Sequence, residues 1–171
     1  MPGTVATYGS GYQSAVCAEH PMVAGVHYVE VTLLEEGWGA FVGVVGQGFD
    51  AAGGGGAHMS AEGWLLSTLH GRLIHACNGS TWEGKPQSHE IKQGDVVGLL
   101  LDCGQRTLSV YLNGARRGVM VAPGIKNIYG GAVASLAGPL QWAVDVGYGA
   151  SVRIERKAPP PSPAGGHCIV Q

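Results

Sequence analysis

Hydrophobic and polar positions alternate through much of this chain, most clearly in GDVVGLLLDCGQRTLSVYLNG at residues 94–114. The apolar run 96–101 is bounded by Gly94-Asp95 before it and Asp102-Cys103-Gly104-Gln105 after it, the length of a buried strand. Residues 107–112 then place Leu108, Val110 and Leu112 on one face and Thr107, Ser109 and Tyr111 on the other, the period of a half-buried strand. Asn113-Gly114 tolerates the positive φ angles of a tight hairpin turn, so residues 116–121 should return antiparallel. A three-stranded meander is thus written into about 28 residues.

The same pattern extends outward. Residues 12–18 can form a first strand, and GVHYVEVTLL at 25–34 is a sharper one, with His27, Val29, Val31 and Leu33 sharing a face and β-branched residues enriched. Further short strands are expected at 40–45, 64–67, 69–76 around Gly71, 129–136, 140–146 and 151–157. Residues 1–11 read as an irregular lead-in, and Asn78-Gly79-Ser80 as a turn. No stretch of 12 residues shows a helical period. About ten short strands with frequent turns predict one all-β domain over residues 12–157, a sandwich or barrel.

Composition narrows the function. Thirty glycines and only 13% charged residues make a bland surface, and a formal charge of −2 gives nucleic acid no electrostatic foothold. No run approaches the roughly 18 apolar residues of a membrane span, and no signal-peptide pattern opens the chain, so a cytoplasmic protein is expected. Cys17, Cys77 and Cys103 are too scattered for a disulfide framework or a paired-cysteine zinc site and read as reduced thiols.

The residues also resemble a family. GVHYVEV at 25–31 is similar to the Gly-x-x-Tyr-Trp-Glu-Val signature of SPRY domains, and GDVVG at 94–98, Leu101-Asp102 and LSVYLNG at 108–114 resemble their second signature. Gly43-Val44 and Gly63-Trp64 fall between in the expected order, so the likeness runs over residues 8–157. It implies a bent β-sandwich of two antiparallel sheets with a concanavalin-like jelly-roll architecture. It also implies a non-catalytic module that binds a partner protein or peptide through loops at one end. Val29 stands where the family usually has tryptophan, and Tyr129-Gly130 where it usually has an aromatic-Pro pair. The loop 136–140 lacks the tryptophan of some peptide-binding members.

Other chemistry is thinly supported. Gly46-Gln47-Gly48-Phe49-Asp50-Ala51 matches a relaxed dinucleotide-binding pattern, but the following Gly53-Gly54-Gly55-Gly56 cannot propagate the helix that would hold a pyrophosphate. His70 and His75 point to opposite faces of a regular strand, and no histidine or cysteine spacing repeats as a metal site requires. Cys103 has Asp102 beside it and only Arg106 as a positive neighbour, a poor setting for a nucleophile. No cofactor, metal site or catalytic residue is expected.

Loops suffice for binding. The aromatics Trp38, Phe49 and Trp82 lie in turns that oblige no burial, and large rigid side chains carry most interface energy. The expected partner surface is therefore Trp38, Gln47, Phe49, Asp50, Trp82, Leu136, Ala137 and Gly138. The alternative is a glycan-binding sandwich, since lectins share the architecture, although no strand clusters His, Asn, Arg and Glu for sugar hydroxyls.

The last fourteen residues change character. Residues 158–167, APPPSPAGGH, are a stiff proline-rich piece followed by a flexible one, an extended linker with nothing apolar to dock. The sequence closes on Cys168-Ile169-Val170-Gln171, a Cys-aliphatic-aliphatic-X string whose glutamine points to farnesylation of Cys168 by a prenyltransferase. A single lipid anchors marginally, so reversible attachment to a membrane surface is expected, firm only when the domain also holds its partner.

Overall fold

The computed structural model describes residues 3–6 and 10–161. Two six-stranded antiparallel sheets pack face to face. One has the order β1-β12-β3-β8-β9-β10, built from β1 (Gly3–Ala6), β12 (Ser151–Lys157), β3 (Val26–Glu35), β8 (Val96–Asp102), β9 (Thr107–Leu112) and β10 (Ala115–Val121). The other runs β2-β11-β4-β5-β6-β7, from β2 (Gln13–Val16), β11 (Leu140–Val146), β4 (Ala40–Gly46), β5 (Gly63–Ser67), β6 (Leu73–His75) and β7 (Asn78–Ser80). The helical content of the described residues is one 3-10 turn, Ala57–Met59. This is the all-β sandwich that the alternation predicts.

The meander forms as written. β8 pairs with β9 and β9 with β10, and Asn113 (φ 50) and Gly114 (φ 81) make the hairpin turn. Leu108, Val110 and Leu112 enter the core beside Val29, Val31 and Leu33 of β3. Val29 is fully buried, in a core whose two tryptophans, Trp142 and Trp64, come from the opposite sheet. The Trp64 indole satisfies its N–H on the Ala134 carbonyl, 2.7 Å away.

Four local expectations change. Residues 129–136 are not a strand: the Asn127 side-chain carbonyl accepts from the N–H groups of Tyr129 and Gly131, and Gly130 takes φ 84, which folds the segment into a tight loop. The 69–76 run is cut by Gly71 at φ 67, leaving only β6. The turn expected at Asn78 falls two residues earlier, on Ala76 and Cys77, whose positive φ angles of 48 and 64 are those of a primed hairpin, and Asn78–Ser80 is the edge strand that follows. The lead-in holds β1, which pairs with β12 from Gly3 opposite Ile154 to Ala6 opposite Ser151.

Candidate partner-binding surface

Strand direction divides the expected loops between the two ends of the sandwich. β3 leads into β4 through the turn carrying Trp38, while β4 finishes beside Leu140, its Gly46 paired with that residue. Gln47, Phe49 and Asp50 therefore share an end with Leu136, Ala137 and Gly138. Trp38 lies at the other end, and so does Trp82, whose indole donates to the Gly71 carbonyl at 3.0 Å just beyond β5.

The side chains differ as much as the positions. Phe49 packs with Val45, Ala57, Leu65 and Ala143 on the outer face of its sheet, and Trp82 packs against the main core. Leu136 is buried, while Ala137 and Gly138 are exposed. These last three residues line a cavity of about 310 Å³ with Val23, Cys103 and Arg106. Arg106 is the charged residue of that lining, held at φ 56 in the hairpin between β8 and β9. Burial and the neighbouring Asp102 carboxylate push the Cys103 thiol above its ordinary range, the wrong direction for a nucleophile.

At the far end Trp38 is 60% exposed and meets Tyr148 edge to face, ring centroids 5.8 Å apart. The Tyr12 hydroxyl donates to the Trp38 carbonyl at 3.3 Å. Tyr148 had the same signal as Trp38, an aromatic between two glycines in a turn, and sequence reasoning used it for only one of the two. Tyr129, 80% exposed, was hidden by its assignment to a strand.

Sequence reasoning also missed a buried network. Asp145 is fully buried in β11, whose other residues are apolar except Gln141. Its carboxylate accepts from the Ser14 hydroxyl at 2.5 Å, from the His58 backbone N–H at 2.8 Å and from the His58 ring Nδ1 at 2.7 Å. The His58 ring stacks on Phe41 at 4.2 Å between centroids. Serine, histidine and aspartate meet here, yet Ser14 is bonded to the carboxylate and not to the imidazole, so His58 has no hold on the serine proton. What the arrangement does is hold the 47–62 loop down. His75 is likewise structural, its Nδ1 2.7 Å from the Gly63 carbonyl and its ring stacked on Trp64. Cys168 lies outside the described residues, and no described helix is long and apolar enough to cross a membrane.

No family model matches this chain, and no curated protein matches it. Solved structures do. The chain is similar to the SPRY domain of human HERC1, at 22% identity and a TM-score of 0.65 over 85% of this chain and 84% of that one. A second human SPRY domain is similar at 18% identity and a TM-score of 0.58, over 88% of this chain and 89% of that one. The chain has the β-sandwich fold of the SPRY domains that it resembles in structure.

Proposed function

We propose that this chain is a non-catalytic protein-interaction module that takes a short peptide segment of a partner at the end of the sandwich carrying residues 136–140. The observation behind this reading is the cavity between that loop and the β8–β9 hairpin. It is lined mostly by apolar residue types, with a single cation, Arg106, to orient a backbone carbonyl or a carboxylate. The Gln47 to Asp50 turn stands at the same end and extends the surface. Trp38 and Trp82 belong to the opposite end and fall outside this site. Selecting peptides from a random display library on the whole chain tests it. Enriched peptides should lose at least tenfold in affinity on Ala137→Trp, which fills the mouth from an exposed position, and on Arg106→Glu. Equal binding to all three proteins would overturn the reading.

The same reading includes a reversible tether: with Gln171 as the last residue, Cys168 takes a farnesyl group and the domain attaches to cytoplasmic membrane surfaces. Its support is the Cys-Ile-Val-Gln string alone. Intact mass of the protein from eukaryotic cells should show the lipid, and Cys168→Ser should move the protein to the soluble fraction. An unmodified mass would remove the tether and leave the peptide site standing.

A further inference from the structure

Two turns meet at the end of the sandwich opposite the 136–140 loop, and each is an aromatic residue between two glycines. Gly37-Trp38-Gly39 lies between β3 and β4, and Gly147-Tyr148-Gly149 between β11 and β12. The backbone locks them together: the Trp38 N–H donates to the Tyr148 carbonyl at 2.9 Å, and the Gly147 N–H to the Gly39 carbonyl at 2.9 Å. Each turn also closes on itself, Gly39 onto the Glu36 carbonyl at 2.7 Å and Ala150 onto the Gly147 carbonyl at 2.9 Å. The approach requires bare Cα positions. A Cβ at Gly37 would lie 2.2 Å from the Gly149 carbonyl carbon, and one at Gly147 would lie 2.9 Å from the Tyr12 ring.

What this packing leaves outside is aromatic. Trp38 is 60% exposed and Tyr148 49%. Their edge-to-face contact, at 63° between planes, uses at most one face of either ring, so each keeps a face free of the other. Because the two turns are fixed, presenting these rings to a ligand costs little ordering entropy. The charge carried by the turns has one sign. Glu35 and Glu36 enter the first, and neither 35–39 nor 146–151 contains Lys or Arg. Glu36 accepts from the Gln93 N–H at 2.9 Å, and the base of the segment tied to it is the exposed Lys92. Glu35 is exposed and makes no ion pair among the described residues. Open aromatic faces beside a free carboxylate favour a cation, and a planar guanidinium can stack on the ring and donate to the carboxylate at once.

We propose that Trp38, Tyr148 and Glu35 form a second binding site, which takes an arginine side chain presented by a basic segment of a partner protein. The guanidinium stacks on the open indole face, Tyr148 walls it, and Glu35 pairs with its charge. The site lies at the end away from the 136–140 cavity and needs neither the peptide reading nor the lipid. Heteronuclear NMR of the indole N–H groups in the whole chain tests it, with the peptide acetyl-Gly-Arg-Gly-Arg-Gly-amide as probe. The Trp38 indole and the Tyr148 ring should shift on titration while the buried Trp64 and Trp142 indoles stay in place. The citrulline counterpart of the peptide, which keeps the shape and loses the charge, should bind at least about threefold more weakly. Glu35→Gln, a surface change outside the packed turns, and Tyr148→Ala should each weaken the arginine peptide by a similar factor. An unmoved Trp38 indole at millimolar peptide would overturn the proposal, and so would equal affinity for the citrulline peptide or undiminished binding by Glu35→Gln.

Discussion

The outer faces of the two sheets are built from the same kind of strand and meet opposite fates. On the sheet containing β11, the chain roofs its own outer face: the 47–62 loop lays Phe49 and Ala57 over Val45, Leu65 and Ala143. Its central strands are accordingly buried on both sides, β5 along its whole length and β11 at every residue but Gln141. Among the described residues the sheet containing β9 receives no such loop: β3 and β10 alternate between core and surface, and β9, buried from Leu108 to Leu112, has Tyr28 rather than a loop against Tyr111. Alternation in β3 and β10 goes with an outer face left available, whereas an apolar run alone does not report a roof: β8 is such a run, and its Leu100 is half-buried on the uncovered face. A groove lined by Pro159, Pro160, Leu100 and Arg116 lies on that face.

A roof has to be held down, and the largest effect should come from removing what holds it. Asp145→Ala deletes the acceptor of three hydrogen bonds and leaves the His58 and Ser14 donors without a partner in a buried site. At about 1–3 kcal/mol for each unsatisfied buried group, a loss of about 4 kcal/mol is expected in urea unfolding. Amide exchange should accelerate in the 47–62 loop well before the β8–β10 meander. Asp145→Asn keeps acceptor capacity and should cost about half as much. Equal exchange in the loop of wild type and Asp145→Ala would mean that the roof is held by Phe49 and Ala57 packing alone.

This pin also marks where sequence reasoning reached its limit. The meander, the Asn113-Gly114 turn and the inward faces of β3 and β9 were legible because each depends on residues close in sequence. The pin joins Ser14, His58 and Asp145, whose closest members are 44 residues apart, and no local period announces it. One signal was present: a lone aspartate in the apolar run LQWAVDV has to be matched by buried donors, since an unpaired buried carboxylate is costly. The division of the expected loops between two ends was equally beyond reach, because it depends on which way each strand runs. Likewise the stretch 94–114 showed its core face plainly, while its other face, with Tyr111 and Ser109, became visible as a surface only with Tyr28, Pro159 and Pro160 beside it.

Two glycines sharpen the comparison at smaller cost. Gly43 of β4 and Gly98 of β8 sit mid-strand in the two sheets. A Cβ at Gly43 would lie 2.1 Å from the Trp64 carbonyl oxygen and 2.8 Å from the Leu65 Cα, backbone atoms of the paired strand beneath the roof. A Cβ at Gly98 would lie 2.2 Å from the Tyr28 hydroxyl, the far end of a side chain on an open face. Gly43→Ala is expected to cost about 3 kcal/mol, because the sheet must part, and Gly98→Ala about 1 kcal/mol, because the Tyr28 ring can swing outward. The same swing gives a spectroscopic readout. Burial, with Glu30 nearby, pushes the Tyr28 phenol up to about 12, and in Gly98→Ala its titration should move back toward 10.0. Equal costs for the two substitutions would show that the outer face of β8 is as tightly covered as that of β4.

The smallest effect concerns the open sheet's own fastening. Arg117 of β10 grips Glu90 with both terminal nitrogens, at 2.5 and 3.3 Å, and donates through Nε to the Gly84 carbonyl, so the 81–95 segment is strapped to the edge strand. Unlike Asp145, both partners are partly exposed, at 25% and 33%. The hydrogen bonds from Arg117, with help from the Gln87 N–H, hold the Glu90 carboxyl below its ordinary 4.5. A carboxyl depressed in the folded state binds its proton more readily when unfolded, so its contribution is complete above 4.5 and is lost as pH falls through the depressed value. Solvent screening limits that contribution to less than about 1 kcal/mol near neutral pH. Urea midpoints between pH 3 and 7 should therefore fall less steeply at the acid end for Glu90→Gln than for wild type, with the two curves converging below the depressed value. Parallel curves through that window would show the strap to be a contact without energetic weight, and would leave the buried Asp145 pin as the fastening that matters.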